Sequence, residues 1–229
     1  MLKSIFAIAF AATLPALSLA DESGFKTIFN GKDLTGWDGQ PGSWEVKDGV
    51  IHCTGEAKEK NWLIYREQEP TDFILRLEFK WDKGNSGVQV RSDDLGEWQI
   101  FGYQVEVAKQ DVMGLWHHSL LAKEHPKKGD RQLLTTAGQV SIIDEKGEKT
   151  IVDTSDPAMI QAVYKENEWN EMEVLVKGDT LVQKINGIVF STLIDKDPEM
   201  SRKKGFIALQ DHGKGCDVSF RNLKIKLLE

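Results

Sequence analysis

DFILRLEFKW, residues Asp72 to Trp81, decides the fold. Every second side chain, Phe73, Leu75, Leu77, Phe79 and Trp81, is large and apolar, with Ile74, Arg76, Glu78 and Lys80 between them. That period of two belongs to a strand with one face in a core and the other turned outward, and helical spacing does not fit the row. The stretch is also long for a strand.

The alternation returns on both sides of this segment. In SWEVKDGVIHC (residues 43–53), Asp48-Gly49 reads as a hairpin turn. In EMEVLVKGDTLVQKINGIVF (residues 171–190), Gly178-Asp179 and Asn186-Gly187 read as two more. Near the C-terminus Val218 and Phe220 share one phase and Leu223, Ile225 and Leu227 the other, which predicts a bulge at Arg221-Asn222. No window after the N-terminal segment carries a convincing amphipathic helix. Residues 108–168, with Gly114, His117-His118, Pro126, KEHPKKGDR and Pro157, read as an irregular excursion. Many antiparallel strands joined by turns predict an all-β fold, a jelly-roll-like sandwich of two sheets forming one domain over residues 21–229.

Residues 1–20 read as a secretory leader: Lys3, an apolar run from Ile5 to Leu14, then Ser18 and Ala20 ahead of Asp21-Glu22. The run is too short for a membrane span and is interrupted by Pro15. The expectation is therefore an exported, periplasmic or extracellular protein without a span after processing. Loss of Lys3 takes the net charge from -7 to -8. An acidic chain without a basic cluster is a poor partner for nucleic acid. Cys53 and Cys216 are the two cysteines, and export would permit a disulfide between them.

Three segments carry a polar row opposite an apolar one. In GNSGVQVRS, Gln89 and Arg91 alternate with Val88 and Val90; in GYQVEV, Gln104 and Glu106 alternate with Tyr103, Val105 and Val107; in GFIALQDHG, Gln210 and His212 oppose Ile207 and Leu209. Were these strands neighbours, amides and ionisable groups would form one patch able to hydrogen-bond a polyhydroxylated ligand. Trp98, Trp116 and Tyr103 could supply a flat surface for a sugar ring.

The same motifs, with FKTIFNGKDLTGW and EWNEMEVLVKGDTLVQKINGIV in the same order, resemble the 3-keto-disaccharide hydrolase domain family from about Phe25 to Leu227. The resemblance implies a concanavalin-A-like sandwich, a bacterial exported setting and hydrolysis of 3-keto-glycosides. Its SGxxxR element falls on Ser86, Gly87 and Arg91, and its LQ-H-G element on Gln210, His212 and Gly213. Many members have Glu then Gln where this chain has Gln104 then Glu106, an exchange that keeps both groups on one face but moves the charge.

A ketone at C3 acidifies the C2 proton, so a modest base can form an enolate that expels the C1 oxygen before water adds. The expected roles are Glu106 or His212 as base, the other as acid, and Arg91 at the developing oxyanion. Gln89, Gln104, Gln210, Trp98 and Tyr103 are the expected substrate contacts. A divalent metal could polarise the ketone instead, with Glu106, His212 and either His117 or His118 as residues of ligating type, although no spacing marks a site. The competing reading is a non-catalytic carbohydrate-binding module of the same fold.

Overall fold

A computed structural model of the chain describes residues 22–118 and 131–229. The leader and Pro126 lie outside the described residues. No described helix is long and apolar enough to cross a membrane.

Among the described residues, ten strands form one sheet and seven the other. The larger runs β12 (Lys149–Asp153), β11 (Gln139–Ile143), β15 (Ile188–Asp195), β14 (Thr180–Ile185), β13 (Asn170–Lys177), β6 (Phe73–Lys83), β17 (Asp217–Leu227), β4 (Val50–Cys53) and β3 (Trp44–Lys47), with β1 (Lys26–Thr27) also paired to β17. The smaller runs β10 (Leu133–Thr136), β9 (Gly114–His118), β8 (Gln99–Val107), β7 (Ser86–Gly96), β16 (Phe206–Asp211), β5 (Asn61–Tyr65) and β2 (Trp37–Asp38). The expected all-β sandwich is the observed one.

The DFILRLEFKW row lies at the centre of the larger sheet, where Phe73, Leu75, Leu77 and Phe79 are buried and β13 and β17 flank β6. These side chains meet Val88 and Val90 of β7, Tyr103, Val105 and Val107 of β8 and Ile207 and Leu209 of β16 in one apolar cluster. Full burial of each such aliphatic or aromatic group contributes about 1.5–3 kcal/mol. Asp48-Gly49 and Asn186-Gly187 form the expected turns with both residues at positive φ, and the β17 register slips between Arg221 and Lys224 with Asn222 at φ 56°.

The irregular reading of residues 108–168 needs correction, because short strands β9 to β12 lie within that span and β11 pairs in parallel with β15. Strands of four or five residues give too few repeats for alternation to register, and the helix Pro157–Gln161 is equally short.

One distortion shapes the smaller sheet. Val90 pairs with Tyr103 and Asp93 with Phe101, so Arg91 and Ser92 together oppose Gly102, with Arg91 at φ 48°. Beyond this bulge the β7–β8 hairpin bends over the outer face of its own sheet. Its tip is held there by Trp62 N–H to the Trp98 carbonyl at 3.0 Å and by Gln99 Nε2 to the Lys60 carbonyl at 2.7 Å. Ile100 then completes a second small core with Trp62, Ile64 and Ala208. The bend needs glycine at position 102, since a Cβ there would stand 2.7 Å from Ser92 Cα. Gly102→Ala is expected to destabilise the fold by about 1–3 kcal/mol through overpacking. Thermal unfolding checks this, and an unchanged Tm would show that the bend has slack.

Candidate active site

The register brings the three polar rows together. β8 pairs with β7 through Gln104↔Gln89 and Glu106↔Gly87, and β16 follows β7 through Ala208↔Gln89. Their apolar partners Val88, Val90, Val105, Ile207 and Leu209 fill the core, so Gln89, Gln104, Glu106 and Gln210 must share the opposite face.

On that face they form a chain of hydrogen bonds. Ser92 Oγ donates to Gln89 Oε1 (2.8 Å), Gln89 Nε2 to Gln104 Oε1 (2.9 Å), and Gln104 Nε2 to both Gln210 Oε1 (3.0 Å) and Glu106 Oε2 (2.7 Å). Asn85 Nδ2 donates to the other Glu106 oxygen at 2.5 Å. Each amide thereby fixes the orientation of the next, and the chain ends on a carboxylate.

Glu106 is only 5% exposed. Burial pushes its pKa up to about 7, against the two amide donors and the charge of Lys60, which favour ionisation. A carboxyl group poised near neutrality can both take and return a proton. Lys60 is half-buried and also acts on exposed His212, whose pKa lies below the ordinary imidazole value, chiefly through desolvation and then through the Lys60 charge.

Other expected site residues lie elsewhere. The Arg91 guanidinium is 1% exposed and donates to the carbonyls of Thr71, Gly178 and Arg202 and to Asp72 Oδ1, joining the bulge to turns of the other sheet. The positive φ of the bulge turns it away from the row in which simple alternation had placed it. Tyr103 points into the core, as its phase with Val105 requires, and its hydroxyl donates to Asp195 Oδ2 at 2.7 Å. The Arg131 guanidinium closes on the same carboxylate. Trp98 sits at the hairpin tip with its indole N–H on Asp38, a pinning role. Two aromatic rings share the amide face: half-buried Trp116, paired with Gln104, and fully buried Trp62, paired with Gln210.

His117 is buried between the edges of Phe101 and Tyr103, with Nε2 donating to the Met200 carbonyl, and burial takes its pKa down to about 4. The His118 side chain lies outside the described residues. Among the described residues Glu106, His212 and His117 do not group as metal-ligand types, whereas the ligand atoms of Cys53, Asp211 and Cys216 lie within 4.8 Å of one another. Both cysteines are free thiols, not the expected disulfide, and each faces a carbonyl, Cys53 that of Gln210 and Cys216 that of Asn85.

Sequence reasoning missed Asn85 and Lys60. Asn85 stands inside the GNSG turn, and its amide gains meaning only once β7 and β8 are paired. A cavity of about 240 Å³ on the larger sheet is lined by charges already satisfied, Arg76 and Lys184 on Glu173 and Lys224 on Glu22.

The two-sheet sandwich recurs in solved structures of glycosyl-hydrolase and carbohydrate-binding type. A candidate glycosyl hydrolase from Parabacteroides distasonis shares the fold with TM-score 0.59 and 20% identity, over 90% of this chain and 94% of that one. The carbohydrate-binding module CBM66 from Bacillus subtilis does so with TM-score 0.54 and 14% identity, over 83% and 95%. Residues 24–226 match the 3-keto-alpha-glucoside-1,2-lyase-like domain, and the chain belongs to that family. A 3-keto-disaccharide hydrolase from Bacteroides thetaiotaomicron is 27% identical, with 96% of this chain and 84% of the relative aligned.

Proposed function

We propose that the chain cleaves 3-keto-glycosides, with Glu106 as the base that removes the C2 proton. The observation that carries this reading is a buried carboxyl with pKa about 7, held by Asn85 on one oxygen and Gln104 on the other. Family membership supports the substrate class.

The C2–H electron pair forms the enolate as the proton passes to Glu106. Collapse of the enolate re-forms the ketone and makes a C1=C2 double bond with that pair, and the leaving oxygen departs with the electrons of the C1–O bond and takes a proton. Water then adds its oxygen to C1 and a proton returns to C2, so the net reaction is hydrolysis. Lys60, whose charge reaches both Glu106 and His212, stands in the role expected of Arg91 at the enolate oxygen. His212, exposed and under the same Lys60 charge, is the group assigned to exchange a proton with the leaving oxygen. The Gln89, Gln104 and Gln210 amides orient the face, and Trp116 offers it an aromatic surface. A binding module would gain nothing from a carboxyl tuned to neutrality, whereas a proton-transfer step needs one.

The assay is release of glucose from 3-keto-trehalose or 3-keto-lactose as a function of pH. Because Glu106 must be ionised while the group that protonates the leaving oxygen still holds its proton, kcat/KM should pass through a maximum with pH, one limb inflecting near 7, the pKa of Glu106. An inflection in the ordinary carboxyl range, or no release at any pH, would count against the assignment.

A further inference from the structure

Behind the polar face, the Cys53 and Cys216 sulfurs and a carboxylate oxygen of Asp211 all lie within 4.8 Å of one another. The three residues come from separate places: the end of β4, the end of β16, and the turn before β17. All are buried, Asp211 and Cys53 at 0% exposure and Cys216 at 3%. Asp211 Oδ1 accepts the Gly213 N–H at 2.9 Å and the Asn61 amide lies near enough to favour the ionised carboxyl, but buried Oδ2 makes no hydrogen bond of normal geometry. A dry, unpaired carboxylate oxygen is costly, so its place beside two thiols calls for an occupant.

We propose that Cys53, Asp211 and Cys216 form a buried site for a thiophilic divalent cation, of which zinc best suits this donor set. Zinc takes thiolate sulfur at about 2.3 Å and carboxylate oxygen at about 2.0–2.2 Å in a tetrahedral set, which spaces donor atoms roughly 3.5–4 Å apart. Three side chains this close need only small rotations to reach it, with water or a carbonyl oxygen as fourth ligand. Binding exchanges two thiol protons for two metal–sulfur bonds, and those protons leave to solvent. A disulfide would join the same sulfurs but leave Asp211 Oδ2 buried and unpaired. The cation pairs it.

The consequence is positional. Asp211 lies between Gln210 and His212, and Cys216 Sγ lies 3.3 Å from the carbonyl of Asn85, whose side chain holds Glu106. A cation here would fasten both flanks of the candidate active site from behind. Since the ligands are inaccessible in the folded protein, the metal enters as the chain folds.

The test is made on the full chain produced in cobalt-supplemented medium, cobalt(II) reporting thiolate ligation through its sulfur-to-metal charge-transfer absorption. One cobalt per chain with that absorption is expected, and Cys216→Ser should lose the absorption. Asp211→Asn, which keeps the shape, should retain at least tenfold less metal through dialysis. Wild-type protein without bound cobalt, or variants that hold it equally, would overturn the site. So would a wild-type chain that shows no free thiol when denatured without reductant. Metal content is read independently of turnover, so loss of the enzymatic reading would leave this result intact.

Discussion

Glu106→Gln should lower sugar release from a 3-keto substrate by roughly 10² to 10⁴, the contribution of a positioned general base. The fold should survive for a reason visible in the hydrogen-bond chain. Gln104 cannot turn, because its oxygen receives Gln89 and its amide nitrogen is shared between Glu106 and Gln210. The new side chain must therefore offer its oxygen to Gln104 and its NH2 to Asn85. Half-exposed Asn85 can accept that NH2 by flipping its own amide.

The pH dependence of stability gives the substitution a second readout. The folded pKa of Glu106, about 7, lies above the ordinary 4.5. The proton is thus bound more tightly in the folded state, so this group's contribution is fully present below pH 4.5 and is lost as pH rises through 7. For a shift of this size the loss amounts to about 3 kcal/mol by pH 8. Glu106→Gln removes the ionisation, so the variant's Tm should fall less than the wild type's between pH 5 and 8, alongside the loss of turnover. Full activity in the variant would remove Glu106 from the mechanism and leave His212 as base.

The fold was legible because strand alternation is local. The Phe73 to Trp81 row, the Asx-Gly turns and the phase change at Arg221-Asn222 each declare themselves within a few residues. The union of the three glutamine rows was legible in part, since alternation says which side chains share a face but not which strands are neighbours. What alternation cannot see is its own interruption. One extra residue at Arg91-Ser92 reverses the side on which a guanidinium emerges, and so the cation expected at the site belongs elsewhere. Tyr103 was misassigned for the opposite reason: its phase with Val105 and Val107 already placed it inward. Asn85 and Lys60 precede their strands, where no periodicity marks a side chain as facing anything.

The exchange of acid and amide between positions 104 and 106 also acquires a physical meaning. Position 104 is enclosed by amides from Gln89 and Gln210, whereas position 106 is reached by half-exposed Asn85 and by the charge of Lys60. A carboxylate at 104 would face Gln210 Oε1, an acceptor in the present orientation. At 106 it meets two donors. The order Gln then Glu therefore places the charge where it is both solvated by amides and closest to the rim.

Arg91→Ala carries the other large expectation, and it concerns stability. The guanidinium makes bonds of 2.7 Å to the Thr71 and Gly178 carbonyls and to Asp72, with a longer one of 3.3 Å to Arg202. Truncation would leave those acceptors facing a void at the root of the bent hairpin. Removing one partner from a buried charged network costs about 3–5 kcal/mol. For a chain of 229 residues this corresponds to a fall in Tm on the order of 10 °C. Arg91→Lys should recover only part of it, because a single ammonium cannot serve acceptors arranged around a planar fork. Below the transition, each folded molecule of either variant should turn over substrate at a rate close to the wild type. An arginine that stabilised the enolate would behave in the opposite way, with Tm nearly unchanged and kcat lower by about 10² to 10³. Measuring Tm and kcat on the same preparations therefore decides between an anchor of the hairpin and a member of the site, and the four bonds of the guanidinium predict the anchor.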